Sequence, residues 1–474
     1  MKTFIKKNVS LYRFFRKKLY MAQHIKIKKG LDIPLKGKAK TVLLPAIFPD
    51  VYSICPDDFP GFAPKVAVKP KDRVLAGTTV LYDKNHPEVK IVSPVSGEVL
   101  SVNRGEKRKL LSIDIVPDKA QQYVSFGKKD FAALSREKII AILSETGIMS
   151  FIRQRPYDIV ANPNDVPRDI FISGFYSAPL APDFEFILKG QEADFQTGIS
   201  ILAQLTTGKV YWGIRDTSVS DTLKNVQDAT IVVFSGPHPA GNAGVQINHI
   251  KPINKGEVEW TMQPADVLFI GRLYNKGVTD LTRIIALTGS EVLRTGYVQA
   301  LPGAQLTSLF AQNTTSDKPL RYISGNVLTG KKTVSDGFLH AFDNQVTVIP
   351  EGSGTHEFFG WAMPGLKKFS ASRTFFSWLF DWAGKKEYVM DARIKGGKRA
   401  IIMSNEYDKV FPMDIFPEFL LKAIIAFDIE KMENLGIYEV APEDFALCEF
   451  VDTSKIEIQQ IVRQGLDLLY KEMN

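Results

Sequence analysis

Few residues in this sequence have the types and spacing that chemistry requires. The histidines His24, His86, His238, His249, His340 and His356 are scattered, and no two have the spacing of a zinc-binding helix. Cys55 and Cys448 are the only cysteines, too few for a four-thiolate iron–sulfur cluster and too far apart for a disulfide framework. Cys448 lies among apolar neighbours in Asp444-Phe-Ala-Leu-Cys-Glu-Phe and reads as an inert core thiol. No intrinsic metal site and no catalytic residue is assigned. The loop SGPHPAGNAG, with Gly236, Gly241 and Gly244, could turn backbone N–H groups toward a phosphate. It departs from G-x-G-x-x-G, shows no evident helix behind it, and gives two positions to prolines, which donate nothing. His238 in the same loop could serve as a base, yet no acid or nucleophile is linked to it in sequence. Two readings stand for Gly236, His238, Gly241 and Gly244: a cofactor-binding loop, or a rigid loop packed against another domain or subunit.

These residues need elements to hold them. A chain of 474 residues exceeds one ordinary core, so several domains are expected. No run of 18 apolar residues exists, and the most hydrophobic helix candidate, Phe416 to Phe427, is interrupted by Glu418 and Lys422. The net charge is +8, but residues 1–20 hold seven basic residues and no acid, which leaves about +1 for the remainder. A nucleic-acid partner requires a concentrated basic face, so none is expected. The leader itself reads either as an amphipathic surface helix or as a stretch ahead of the natural start at Met21.

The fold class expected is α/β and β multidomain. Residues 24–120 show short alternating stretches broken by Gly and Pro, including Thr79 to Tyr82, Lys90 to Val92 and Glu98 to Val102, as a compact β domain requires. This stretch resembles the barrel-sandwich fold of biotinyl and lipoyl carriers, with Lys84 near the hairpin tip where those carry their modified lysine. The lengthened tip and the missing Met-Lys-Met context favour an unmodified lysine, because fold does not carry function across. Residues 121–255 alternate short apolar strands with helical segments, giving a Rossmann-like α/β domain. Residues 256–335 resemble a small β-grasp, ligand-binding-like (SLBB-like) module, with Asp266 to Gly271 and Arg283 to Thr288 read as strands. Residues 336–474 form an aromatic and mainly helical region. There Phe419, Leu420, Ala423, Ile424 and Phe427 read as one buried helical stripe. The aromatic tract around Trp361, Phe369, Phe375, Phe376, Trp378, Phe380 and Trp382 reads as core, a membrane-facing patch, a protein interface or a ligand contact.

Four stretches point to one family: IKIKKGLDIPLKG (25–37), VKIVSPVSGEVLSVNRGEKRKLLSIDI (89–115), FSGPHPAGNAGVQINHI (234–250) and the long segment from Phe411 to Val451. Each resembles the corresponding part of the A-type subunits of the sodium-translocating NADH:quinone oxidoreductases. The resemblance runs from about residue 24 to the end. It implies a peripheral member of a six-subunit complex, on the cytoplasmic face of a bacterial inner membrane, docked on the flavin-carrying B-type membrane subunit. Flavins and iron–sulfur centres would belong to the partner subunits, with no cofactor bound by this chain and no activity in isolation. The complex would couple NADH oxidation and reduction of ubiquinone or menaquinone to sodium export. On that reading Phe375, Phe376 and Trp378 become candidates for quinone contact. The C-type subunit of the related electron-transport complex is opposed by the cysteine count, whereas a carrier-type protein and a scaffold without quinone contact remain alternatives.

Overall fold

The computed structural model describes residues 23–45, 48–128, 130–215, 220–315, 317–353, 363–383 and 386–473. The basic leader, with the surface helix proposed for it, and Trp361 lie outside them. The first β module is built from a four-stranded and a three-stranded sheet. Tyr52–Ile54, Leu110–Pro117, Gly97–Arg104 and Arg73–Val74 form the former, and Pro64–Val66, Thr79–Asp83 and Lys90–Val92 the latter. Val80, Leu81, Val99, Ile113 and Ile115 are completely buried between them. Burial of side chains of this size contributes about 1.5–3 kcal/mol each. Lys84 stands exposed at the turn after Thr79–Asp83.

The segment from Ile25 to Ile27, expected in this module, goes elsewhere. Gln23–Lys26 adds in parallel to Thr230–Ser235, at the edge of a seven-stranded sheet. That sheet continues through Val210–Arg215, Ile170–Ser173 and Glu259–Met262, all parallel, and ends in antiparallel Arg153–Arg155 and Ile159–Val160. Its central strands Ile170–Ser173 and Glu259–Met262 are buried at every position; the first is accordingly almost wholly apolar, whereas the second buries Glu259 and Thr261 as well.

Asp266 to Gly271, expected as a strand, lies inside the helix Pro264–Lys276. Pro264 occupies its first turn and left-handed Gly277 ends it, the arrangement these two residues favour. Every residue from Pro264 to Tyr274 is buried, so the apolar run carries no visible helical period. The helix crosses Glu192–Ala203 closely. A Cβ on Gly198 would clash with the Val267 carbonyl, and one on Gly271 with the Asp194 carbonyl.

The third sheet has the order Gly296–Ala300, Arg283–Thr288, Gln345–Pro350, Leu320–Ser324, Lys331–Thr333. Gln345–Pro350 pairs in parallel with Arg283–Thr288 at its centre, although it falls in the stretch assigned from sequence to the C-terminal region. The C-terminal helices include Pro417–Ile425, Ala446–Val451 and Ile458–Met473. Leu420, Ile424, Phe445, Cys448, Val462, Leu466 and Leu469 share a core with Ile27, Phe175 and Phe234, so these helices close over one edge of the large sheet. The expected apolar stripe is only partly buried. Leu420, Leu421, Ala423 and Ile424 are inside, but Phe419 and Phe427 are 54% and 72% exposed. Phe419 sits about 100° around the helix from Leu420, and Phe427 lies beyond the helix end with φ +54°, where the chain turns away.

Candidate functional site

The glycine loop follows Thr230–Ser235, at the carboxyl end of a parallel strand, where open α/β sheets commonly bind ligands. The helix that the sequence did not reveal is present, at Ala243–Ile250 directly behind the loop. The space around the loop is filled by the chain itself. Gly236 has φ +130°, and a Cβ there would meet the Ile27 carbonyl; one on Gly241 would meet the Phe175 carbonyl. A Cβ on Gly244 would meet Asp444 and the guanidinium of Arg155, themselves a buried ion pair at 3.0 Å. Glycine here permits close packing of strand, loop and C-terminal segment.

His238 is 3% exposed within this packing. Its backbone N–H donates to Asp32 Oδ1 at 2.9 Å, and its carbonyl accepts from Leu31 N at 2.8 Å. Ser177 Oγ accepts from Gly241 N at 2.8 Å and lies 3.0 Å from His238 Nδ1. The serine proton can therefore point at Nδ1, leaving the imidazole proton on Nε2. Nε2 is buried and has no hydrogen-bond partner among the described residues. Burial pushes the His238 pKa down to about 4, so the ring is neutral near pH 7. His238 is thus held as a neutral ring among its own chain's atoms.

The aromatic candidates split. Phe375 is buried, against Gly365 and with Lys368 Nζ 5.3 Å from its ring centre. Phe376 and Trp378, in the 3-10 helix Phe376–Ala383, are 52% and 40% exposed, and the Arg373 guanidinium lies 5.6 Å from the Trp378 ring. Leu379 next to Trp378, and Met363 and Leu366 earlier in the same tract, are also exposed. Phe369 anchors the tract through ring contacts with Tyr388 and Phe450 at 5.8 and 6.4 Å. The result is an apolar ledge bordered by cations, on different elements from the glycine loop.

A third constellation escaped the sequence reading, which set metal chemistry aside. Cys55, Asp58 and His340 converge, with one ligand-type atom from each within 4.8 Å of the other two. Cys55 and Asp58 flank one short turn, but nothing in sequence joins them to His340.

Three family profiles match the chain: the NqrA N-terminal barrel-sandwich hybrid domain over residues 25–118, the NqrA second alpha/beta domain over 134–279, and the NQRA C-terminal domain over 284–335. Among similar proteins, the A-type subunit of the Na(+)-translocating NADH-quinone reductase of Hahella chejuensis is 35% identical over 94% of this chain and 100% of its own length. Those of Saccharophagus degradans and Vibrio atlanticus are each 34% identical, with the same coverage. The chain belongs to the NqrA family. An NAD+-reducing [NiFe]-hydrogenase structure aligns over 49% of this chain and 52% of its own, with 10% identity and a TM-score of 0.33, too distant a likeness to carry an argument.

NqrA membership fits the multidomain α/β architecture, with its barrel-like β module and its helical C-terminal region. The expected place on the cytoplasmic face of an inner membrane is not upheld and is set aside. Among the described residues no helix is long and apolar enough to cross a membrane. The basic leader offered for surface contact lies outside those residues.

Proposed function

We propose that this chain acts as the NqrA component of a Na+-translocating NADH-quinone reductase and supports the quinone end of its electron path. The observation that carries this reading is full-length similarity: relatives of that name align over their entire length and over 94% of this chain. The middle and third sheets then serve as Rossmann-like and β-grasp-like scaffolds. Flavins and iron–sulfur centres belong to partner subunits, the flavin-carrying B-type subunit is the main docking partner, and the isolated chain has no reductase activity.

The ledge of Phe376 and Trp378 suits a quinone head, a flat apolar ring whose two carbonyl oxygens accept hydrogen bonds. Aromatic faces can stack on the ring, and Arg373 stands close enough to offer donors. Phe375 is buried in the same tract. A scaffold without quinone contact is the second reading, favoured by a glycine loop filled with the chain's own atoms.

Affinity capture through a C-terminal tag under gentle conditions tests the assembly. Flavin- and iron–sulfur-containing partners with NADH:quinone activity should co-purify; a monodisperse chain without partners would refute it. Ubiquinone and menaquinone titrations of the captured complex test the ledge. F376A/W378A should raise the apparent Kd for quinone, and unchanged binding would leave the scaffold reading.

A further inference from the structure

We propose that Cys55, Asp58 and His340 form a site for one zinc-class divalent ion at the seam between the first β module and the third sheet. Cys55 follows the strand Tyr52–Ile54, and Asp58 closes the 3-10 turn Pro56–Asp58. His340 comes from the loop before Gln345–Pro350. The seam is fixed by other contacts. Ser53 N donates to the Gly303 carbonyl at 2.9 Å, Ala341 N to Asp58 Oδ2 at 2.9 Å, and His340 N to Ser324 Oγ at 2.9 Å. The ligand backbones are thus held in place, as a selective metal site requires.

The donor set decides the ion class. A thiol, an imidazole and a carboxylate together suit a borderline-soft cation, whereas magnesium and calcium prefer oxygen alone. With bonds of about 2.0–2.3 Å, tetrahedral ligands lie roughly 3.3–3.8 Å apart. The present atoms all fall within 4.8 Å, and His340 Nδ1 hydrogen-bonds Asp58 Oδ1 at 2.6 Å, so small side-chain rotations reach that spacing. Three protein ligands leave a fourth position for water or an outside ligand.

Two further observations point to a cation. Lys331 Nζ lies 2.9 Å from Asp58 Oδ1, with a side chain 52% exposed and therefore free to swing into solvent. The buried carboxylate already attracts positive charge, and a divalent ion would compete with the ammonium for it. Beside Cys55 and Asp58 lies a cavity of about 20 Å³, also lined by Ser53, Phe59, Phe151 and Ala341, with room for an ion or one water. Bound there, the ion would cross-link two parts of the chain more than 280 residues apart.

The test uses the full chain, stripped with a chelator and titrated with Zn2+, and with Co2+ as an optical probe. One equivalent should bind, with a thiolate-to-cobalt charge-transfer band and a raised thermal midpoint. C55S, its fold checked by circular dichroism, should lose the band and bind Zn2+ more than about tenfold more weakly, since loss of even an outer-shell partner costs that much. K331Q should tighten binding severalfold by removing the competing ammonium, a result that a plain Asp58 ion pair would not give. Absence of stoichiometric binding, a band that survives C55S, or weaker binding in K331Q would each overturn the proposal.

Discussion

Protonation of His238 should destabilise the glycine loop, and the size of the effect follows from its burial. The free imidazole titrates near 6.5, whereas burial lowers the folded value to about 4. A folded-state pKa depressed in this way contributes stability that is fully present above about pH 6.5 and lost as pH falls toward the folded value. Each unit of difference is worth about 1.4 kcal/mol, so the whole window amounts to about 3 kcal/mol. Asp266 works in the opposite direction. Burial raises its pKa to about 6 despite the opposing Arg283 charge, so the folded protein gains relative stability as that carboxyl protonates. The wild-type profile mixes both, and His238→Gln isolates the imidazole. Urea unfolding can be followed through Trp212 and Trp260, which are buried in the sheet beside the loop. The difference in stability between wild type and H238Q should shrink by about 3 kcal/mol from about pH 7 to about pH 4. A difference that stays constant across that range would show that His238 is not buried as a neutral ring.

Other substitutions test the packing. Arg283 and Asp266 pair at 2.7 Å with neither side chain exposed. Arg283→Met should cost about 3–5 kcal/mol in urea unfolding, and D266L/R283M should recover most of that. Leu420→Ala should cost about 2–5 kcal/mol, whereas F419S and F427S should each stay within about 0.5 kcal/mol; equal losses would contradict the helix orientation. Gly271→Ala should lower stability by about 1–3 kcal/mol through overpacking against Asp194, an effect that calorimetry would resolve and that a surface strand would not show.

The sequence disclosed whatever its local pattern determines. Alternation located most strands of the first β module, and short apolar runs within residues 121–255 marked out a sheet now seen to include Ile170–Ser173 and Val210–Arg215, because each pattern follows from how many faces a strand buries. The same rule failed at Asp266 to Gly271. A helix buried on all sides has lost the polar face that would reveal its period, so its apolar run reads as a strand. Pro264 and Gly277 marked its ends, and a reading led by those terminal residues rather than by hydrophobicity would have found it. The placements of Gln23–Lys26 and Gln345–Pro350 lay beyond any local rule, since each enters a sheet whose partner strand is remote in sequence.

The candidate sites divide along the same line. His238 and its glycines were visible as a motif, but whether they cradle a ligand or close-pack depends on Ile27, Phe175 and Asp444, which arrive from three other segments. Phe375, Phe376 and Trp378 were visible as a cluster, yet their division into one buried and two exposed rings is set by a turn no periodicity reveals. Cys55 and His340 looked isolated because metal-spacing rules detect ligands that share a helix or a loop. A site assembled across two sheets has no spacing to detect, so the scattered histidines that argued against metal chemistry tested only for local sites.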